Sequence, residues 1–91
     1  MNDRIGRMRE RLLATFSPLS CQLTDESHLH AGHPGAAGGA GHYRLELVSE
    51  RFEGVNRVGR HRLVYDCLRD MMPGEIHALT IIALTPSEAS R

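Results

Sequence analysis

Four of the six histidines in this chain lie close together in a glycine-rich stretch, and a fifth opens an apolar segment near the C-terminus. The stretch reads DESHLHAGHPGAAGGAGHY and carries His28, His30, His33 and His42, while His77 opens the segment IHALTIIAL. Neutral imidazole is the commonest nitrogen ligand for transition metals, and it titrates near physiological pH. The pattern therefore indicates a metal or cluster site, provided that the fold brings His77 to the loop.

The loop by itself matches no specific metal-binding motif. Its histidine spacings of two, three and nine fit no zinc signature, and the sequence H-E-x-x-H does not occur. Solvated histidines without a role are the alternative for the loop, and a histidine held by a backbone carbonyl is the alternative for His77. A third alternative is that the loop chelates zinc or nickel on its own.

The length and composition predict one small domain over residues 1–91, with a flexible Gly/His-rich loop at 28–41 and a tail at 87–91. Eleven acidic and eleven basic residues cancel, so no global charge favours nucleic acid or a membrane surface. No apolar run is long enough to span a bilayer, and the start MNDRIGRMRERLL lacks a secretory signal core, which together predict a cytoplasmic protein. We expect the two cysteines, Cys21 and Cys67, to be free thiols that pack as small core residues.

The hydrophobic periodicity predicts the element order α-β-β-α-α-β. Steps of three and four place Ile5, Met8, Leu12, Leu13 and Phe16 on one helix face. Alternation predicts two half-buried strands, with these inward residues: Leu19, Cys21 and Leu23, then Tyr43, Leu45 and Leu47. A short helical turn and a second helix follow, with these residues on one face: Leu63, Val64, Cys67, Leu68 and Met71. The run from Ile76 to Leu84 predicts a strand that is apolar on both faces.

The connections between these strands predict where the histidines meet. The first two strands form an antiparallel hairpin, and a helical crossover leads to the third strand, as a parallel pair requires. Parallel strands begin at the same end of a sheet, and the hairpin loop lies at that end. His42 precedes the second strand and His77 begins the third, so we expect both residues beside the loop. The predicted architecture is an α+β domain with a three-stranded mixed sheet and helices packed on one face.

Four segments of the chain resemble the BolA-like proteins, along almost the whole length. They are DESHLHAGH (25–33), GHY (41–43), VSERFEGVNRVGRHRLVY (48–65) and IHAL (76–79), the last followed by Thr-Pro. The resemblance implies a class II KH-like fold of the same element order. It also implies a monothiol glutaredoxin as partner, with a [2Fe–2S] cluster shared between the two chains. The glutaredoxin supplies a cysteine in such heterodimers, and bound glutathione supplies a second thiolate.

The resemblance also assigns ligands. The family's histidine in the IHAL block is His77 here, and its second ligand, a histidine or cysteine of the loop, aligns with His30. The loop carries extra histidines and a longer Gly/Ala filler, so His33 is a further candidate, with His28 and His42 ranked after it. The absence of a loop cysteine indicates a histidine-type member. We expect the isolated chain, as a monomer or weak homodimer, to hold no cluster tightly.

A basic cluster supports a competing function. Arg57, Arg60, His61 and Arg62 lie in the segment that resembles a helix-turn-helix, and BolA-like proteins have been regarded as transcriptional regulators. These residues are candidates for binding DNA or a protein partner. In this segment Gly54 and Gly59 are spaced G-x-x-x-x-G and so do not form the KH signature G-x-x-G, and the alternative is that the arginines solvate the helix or pair with nearby acids. We find no catalytic constellation, so we expect a protein that is not an enzyme.

Overall fold

The computed structural model describes residues 4–27 and 41–90 of the chain. These residues form a three-stranded sheet with helices on one face, as predicted. Along the chain the elements are α1 (Arg4–Phe16), β1 (Ser20–Asp25), β2 (Gly41–Val48), a first 3₁₀ turn (Glu50–Phe52), α2 (Arg57–Cys67), a second 3₁₀ turn (Arg69–Met71), β3 (Ile76–Leu84) and α3 (Pro86–Ala89). The predicted α-β-β-α-α-β order is confirmed, with the short helical turn and the second helix between β2 and β3.

Helix α1 buries one row of side chains. Met8, Leu12 and Phe16 are four residues apart, so they share one face of the helix and lie in the core. Leu13, which the periodicity also places in this stripe, is 47% exposed. The prediction for Leu13 is wrong because successive helix residues lie about 100° apart, and the core covers only the face of Leu12.

Helix α2 is shorter than the sequence pattern predicts. It ends at Cys67, and the second 3₁₀ turn carries Met71 into the core instead. Val64 and Leu68 are buried as expected, whereas Leu63 is 40% exposed. Leu63 precedes Val64 by one residue on the helix, so the two side chains point in different directions.

The strand order is β1-β2-β3, with β1 and β2 antiparallel and β2 and β3 parallel. Both predicted pairings are confirmed. The inward faces of the strands carry Tyr43, Leu45 and Leu47 on β2, and these pack with the buried faces of α1 and α2. Leu19, expected in the inward row, is exposed because it lies in the bend before the first paired residue of β1.

Strand β3 departs from the prediction of a strand buried on both faces. Its inward residues are Ile76, Leu79 and Ile81, while Ala78 and Thr80 are exposed on the other face. The ladder pairs Gly41 with Ile76 but His42 with Ala78, so His77 is an extra residue on β3. This β-bulge leaves two consecutive side chains on the outer side of the sheet. The wrong prediction follows from the apolar residues at 78, 82 and 84, which hide the alternation.

Candidate functional site

His42 and His77 meet at the end of the sheet where β2 and β3 begin, as the topology predicts. The centroids of their imidazole rings are 5.0 Å apart, and the ring planes are inclined by 49°. Parallel pairing brings the starts of β2 and β3 together, and the bulge at His77 directs this residue to the outer face that also carries His42. His77 is exposed. His42 is half-buried, so the two rings are adjacent but His77 is the one that is open to solvent.

Hydrogen bonds fix the main chain of His42. Its N–H donates to Ser27 Oγ at 3.0 Å, and its carbonyl accepts from the Glu26 N–H at 2.8 Å. Asp25 stabilises this end of β1, because its Oδ1 accepts from the Ser27 N–H. The last residues before the loop and the first residues after it are thus joined directly. Glu26 and Ser27 therefore lie beside the histidine pair.

The remaining loop histidines that were predicted as ligands, His28, His30 and His33, lie outside the described residues. The cluster assignment of His30 and its alternatives therefore stays a prediction. Within residues 4–27 and 41–90, no group of three or more His, Cys, Asp or Glu side chains is arranged to hold a metal ion. Further ligands beside His42 and His77 would have to come from elsewhere.

Gly41 and Tyr43 lie on either side of His42 at the start of β2. Tyr43 is buried, and its hydroxyl accepts a hydrogen bond from Arg4 Nη1 at 3.3 Å. The N–H of Gly41 donates to the Glu75 carbonyl, which ties the start of β2 to the residue before β3. Arg7 pairs with the Glu75 carboxylate, and this hydrogen bond lowers the pKa of Glu75. The base of the site is therefore joined to α1 by two arginines.

Gly41 leaves room for the Tyr43 ring, which gives a first prediction. A Cβ at position 41 would lie only 2.5 Å from the Tyr43 hydroxyl oxygen. Because Tyr43 is buried and held by Arg4, we expect Gly41→Ala to lower the free energy of unfolding by about 1–3 kcal/mol. Urea denaturation measures this change, and Gly74→Ala is the control because open space surrounds that position. Equal stability of the two variants would contradict the packing argument.

The basic cluster that was predicted to bind DNA or a partner divides in the structure. Arg60 is mostly buried, and its guanidinium donates to the Val55 and Ala83 carbonyls and to both carboxylate oxygens of Glu88. Its charge also lies 5.9 Å from the centroid of the Phe52 ring. Arg60 thus joins α2, β3 and α3. A nucleic-acid interface that used Arg60 would have to break these contacts.

Arg57 and Arg62 are exposed on α2, and His61 is half-exposed. No ion pair involves Arg57 or Arg62 within the part of the chain that the structure describes. The side chain of Asn56 caps the helix by accepting from the Gly59 N–H at 2.8 Å. These residues therefore remain candidates for contact with a partner.

Helix α3 lies where the sequence predicts only a tail at residues 87–91. The structure has a short helix with a capping box, in which Thr85 and Glu88 exchange hydrogen bonds. The Thr-x-x-Glu spacing at residues 85–88 is the signal that could have identified it. Glu88 is then fixed in position to meet Arg60.

The Arg60–Glu88 pair gives a second prediction. Glu88 accepts hydrogen bonds from the Arg60 guanidinium and from the Thr85 N–H. These bonds, the one from Arg60 most of all, lower the pKa of Glu88 from 4.5 to about 2. A carboxylate whose pKa is lower in the folded state stabilises the fold above its unfolded pKa, and this contribution disappears as the pH falls towards 2. We expect Glu88→Gln to be less stable than the wild type at pH 7 and equally stable near pH 2. Urea titrations across this range measure the difference, and a gap that does not change with pH would refute the assignment.

The two cysteines are half-buried free thiols, as predicted. Burial raises the pKa of Cys21 above its ordinary value, so this thiol stays protonated near neutral pH. Cys67 Sγ lies within hydrogen-bond distance of the Arg11 carbonyl and of Thr15 Oγ1. Both thiols contribute to packing between elements. Among the described residues, no helix is long and apolar enough to cross a membrane.

Comparison with known proteins agrees with this architecture. The family model described as BolA-like protein matches residues 12–88. Protein BOLA1, chloroplastic, of Arabidopsis thaliana is 42% identical over 92 residues, which cover 98% of this chain and 58% of that protein. BolA-like protein 1 of Mus musculus is 41% identical over 81 residues, covering 89% of this chain and 57% of that protein.

Solved structures give the same result. The structure of BolA1 from Arabidopsis thaliana superposes with a TM-score of 0.82 and 40% identity, covering 97% of this chain and 98% of that one. The BolA domain of SufE1 from the same plant gives a TM-score of 0.85, again with 40% identity and with 97% and 98% covered. The chain spans only 58% of the full BOLA1 protein and 25% of SufE-like protein 1. From sequence and fold together, the chain belongs to the BolA-like family.

Proposed function

We propose that this chain is a non-enzymatic adaptor that pairs with a monothiol glutaredoxin to share a [2Fe–2S] cluster, in iron–sulfur cluster trafficking or iron regulation. The observation that carries the proposal is the adjacent pair of imidazoles, with ring centroids 5.0 Å apart and His77 exposed, at the end of the sheet where β2 and β3 begin. Family membership adds the expectation of the glutaredoxin partner. We expect this function in the cytoplasm.

The residues present fit such a cluster. Histidine nitrogens replace two of the four cysteine thiolates on one iron in known [2Fe–2S] centres, so imidazole is a suitable donor. His77 is the first ligand of the proposal because it is exposed. It is the extra residue of the β-bulge, which turns its side chain to the outer face of the sheet. His30 is the second ligand that the resemblance implies, and His33 and His28 are its alternatives. The geometry also supports His42, because its ring already lies beside that of His77.

The division of ligands explains why a partner is needed. A [2Fe–2S] cluster takes four protein or cofactor ligands, and two imidazoles from this chain leave two positions open. A glutaredoxin cysteine and the thiolate of bound glutathione complete the set in the proposed heterodimer. The isolated chain should therefore hold a cluster weakly or not at all. This chain's own part is to place its donors and to present the surface around them.

Reconstitution tests the proposal. The chain is mixed with a monothiol glutaredoxin, glutathione, iron and sulfide, and the products are separated by size. We expect a heterodimer whose visible circular dichroism differs from that of the glutaredoxin alone, and no cluster on this chain alone. If the glutaredoxin spectrum stays unchanged and the two chains elute separately, the proposal fails.

DNA binding, the alternative suggested by the arginines, has less support. Arg60 is held by Glu88 and by two carbonyls, which leaves Arg57 and Arg62 as the exposed arginines of the predicted set. Retardation of a duplex that falls steeply with salt, and that is lost in the Arg57→Ala/Arg62→Ala double variant, would favour this alternative. Retardation that does not change with salt concentration would count against DNA binding.

A further inference from the structure

The outer edge of β3 is a second candidate surface for binding a partner. The strand order β1-β2-β3 places β3 at one side of the sheet, and no other strand among the described residues pairs with its far edge. An edge strand presents main-chain N–H and C=O groups that a further extended chain can use. The neighbouring side chains decide which of these groups are accessible.

Two side chains of α2 cover the ends of this edge. Tyr65 donates from its hydroxyl to the Leu79 carbonyl at 3.3 Å, and Arg60 donates to the Ala83 carbonyl at 3.0 Å. The Leu84 carbonyl instead accepts from the Ser49 N–H on the β2 side. Since successive residues of a strand turn their main-chain groups to opposite edges, the N–H and C=O groups of residues 79, 81 and 83 point away from β2, although the side chains of Leu79 and Ile81 face the core.

Ile81 lies midway between the two covered carbonyls. Within residues 4–27 and 41–90, no side-chain or loop hydrogen bond reaches the main-chain groups of Ile81. The part of the edge without a hydrogen-bond partner is therefore short, and Ile81 within it is 7% exposed. It suits a segment of a few residues, whereas a long strand would meet Tyr65 at one end and Arg60 at the other.

A cavity of about 340 Å³ lies beside the same part of β3. Val55, Ile81 and Ala83 give it an apolar lining, and the start of α2 forms its opposite wall. A volume of this size is at the lower end of the range for pockets that hold small ligands. It can accept a side chain from a segment that pairs with the strand.

The charge around the cavity favours an acidic ligand. Arg57 and His61 line it from α2, while the charge of Arg60 is balanced by Glu88. Arg57 forms no ion pair within the described part of the chain. The local charge is therefore positive, and a carboxylate on the ligand would lie in a favourable potential.

We propose that the edge of β3 at Ile81 binds a short, extended, acidic segment of a partner protein as an added strand. Main-chain hydrogen bonds to Ile81 provide the pairing, the cavity takes one side chain, and Arg57 attracts a carboxylate of the segment. The site is separate from the histidine pair and goes beyond cluster sharing. The proposed peptide site includes Arg57 and His61, which lie at the beginning of α2.

A labelled model peptide tests the proposal. The probe is acetyl-EVEVE-amide with a fluorescent label, added to the full chain, with amide shifts followed by NMR. We expect weak binding, with a dissociation constant between about 10 μM and 1 mM, and shifts centred on residues 79–83. The same peptide methylated on its central nitrogen loses a main-chain donor and should bind about fivefold more weakly. The Lys-containing analogue KVKVK should not bind.

Matched variants locate the charge. Arg57→Gln should weaken binding about two- to fivefold, while Arg51→Gln, an exposed arginine outside the cavity, should leave it unchanged. Shifts that instead centre on His42 and His77, or no binding up to about 1 mM, would overturn the proposal. Tighter, steeply salt-dependent binding of a short oligothymidylate at the same residues would also overturn it, in favour of single-stranded nucleic acid.

Discussion

Replacing His77 with alanine should abolish the visible absorption and circular dichroism of a cluster shared between this chain and a monothiol glutaredoxin. The bulge places His77 on the outer face of the sheet at the start of β3, where its imidazole is exposed and next to His42. In the proposed heterodimer its loss removes one of the four ligands, and neither cysteine is placed to replace it, because Cys21 and Cys67 lie in the packing between elements.

The same substitution should leave the fold intact. His77 is exposed, so its removal should change the free energy of unfolding by no more than about 0.5 kcal/mol. Thr80→Ala is the matched control, because it truncates another exposed side chain on the outer face of β3 and should preserve the spectrum. A heterodimer of His77→Ala with the wild-type spectrum would sink the ligand assignment. A changed but persistent spectrum in His42→Ala, with loss in His77→Ala, would rank the two residues.

Phe52→Ala should cause the largest loss of stability. Phe52 is fully buried, and its ring centroid lies 5.2 Å from that of Phe16 and 5.9 Å from the Arg60 guanidinium carbon. Truncation removes the contacts of the ring and leaves a cavity between the end of α1 and the first 3₁₀ turn, which costs about 3–5 kcal/mol. A small domain has roughly 5–15 kcal/mol of stability in total, so much of it would be lost.

Urea denaturation, followed by far-UV circular dichroism, measures this loss through the midpoint of unfolding. Leu19→Ala is the control, because Leu19 is 69% exposed and its truncation should change stability by less than about 0.5 kcal/mol. A loss below about 1 kcal/mol for Phe52→Ala would show that the ring does not anchor the turn. Phe52→Leu should fall between the two, since it retains part of the apolar volume.

The topology around the histidines was predictable because it depends on local signals. The alternation in residues 43–47 and the helical crossover before β3 are both visible in the sequence, and a crossover of this kind implies a parallel pair. From these two signals the meeting of His42 with His77 follows without any knowledge of side-chain packing. The ring separation of 5.0 Å confirms that inference.

The bulge at His77 could not be predicted in the same way. Ala78, Ile82 and Leu84 are apolar although they lie on the outer face, so the alternation of β3 is masked. Whether one residue is extra depends on how β3 pairs with β2, and pairing is a property of two segments more than thirty residues apart in the chain. Hydrophobic pattern alone cannot report it.

Arg60 shows the same limit for charge. Its neighbours in the chain are basic, so the sequence indicates a positive cluster, whereas its true partner Glu88 is 28 residues away. The capping box of α3 and the Val55 and Ala83 carbonyls complete the environment of the guanidinium. The residue that the sequence indicates as a candidate for nucleic-acid binding therefore joins α2, β3 and α3 in the folded chain.

The element order, the parallel pairing of β2 with β3 and the family could therefore all be predicted from the residues alone. These follow from periodicity and connection length, which act between residues close in the chain, and from motifs that can be compared directly. Three further features are visible only in the folded chain: His77 is an extra residue that faces outwards, Arg60 is held by Glu88, and Ile81 lies on the unpaired edge of β3. Those features depend on register and on side chains that meet across the fold, because packing brings together residues that no local pattern relates.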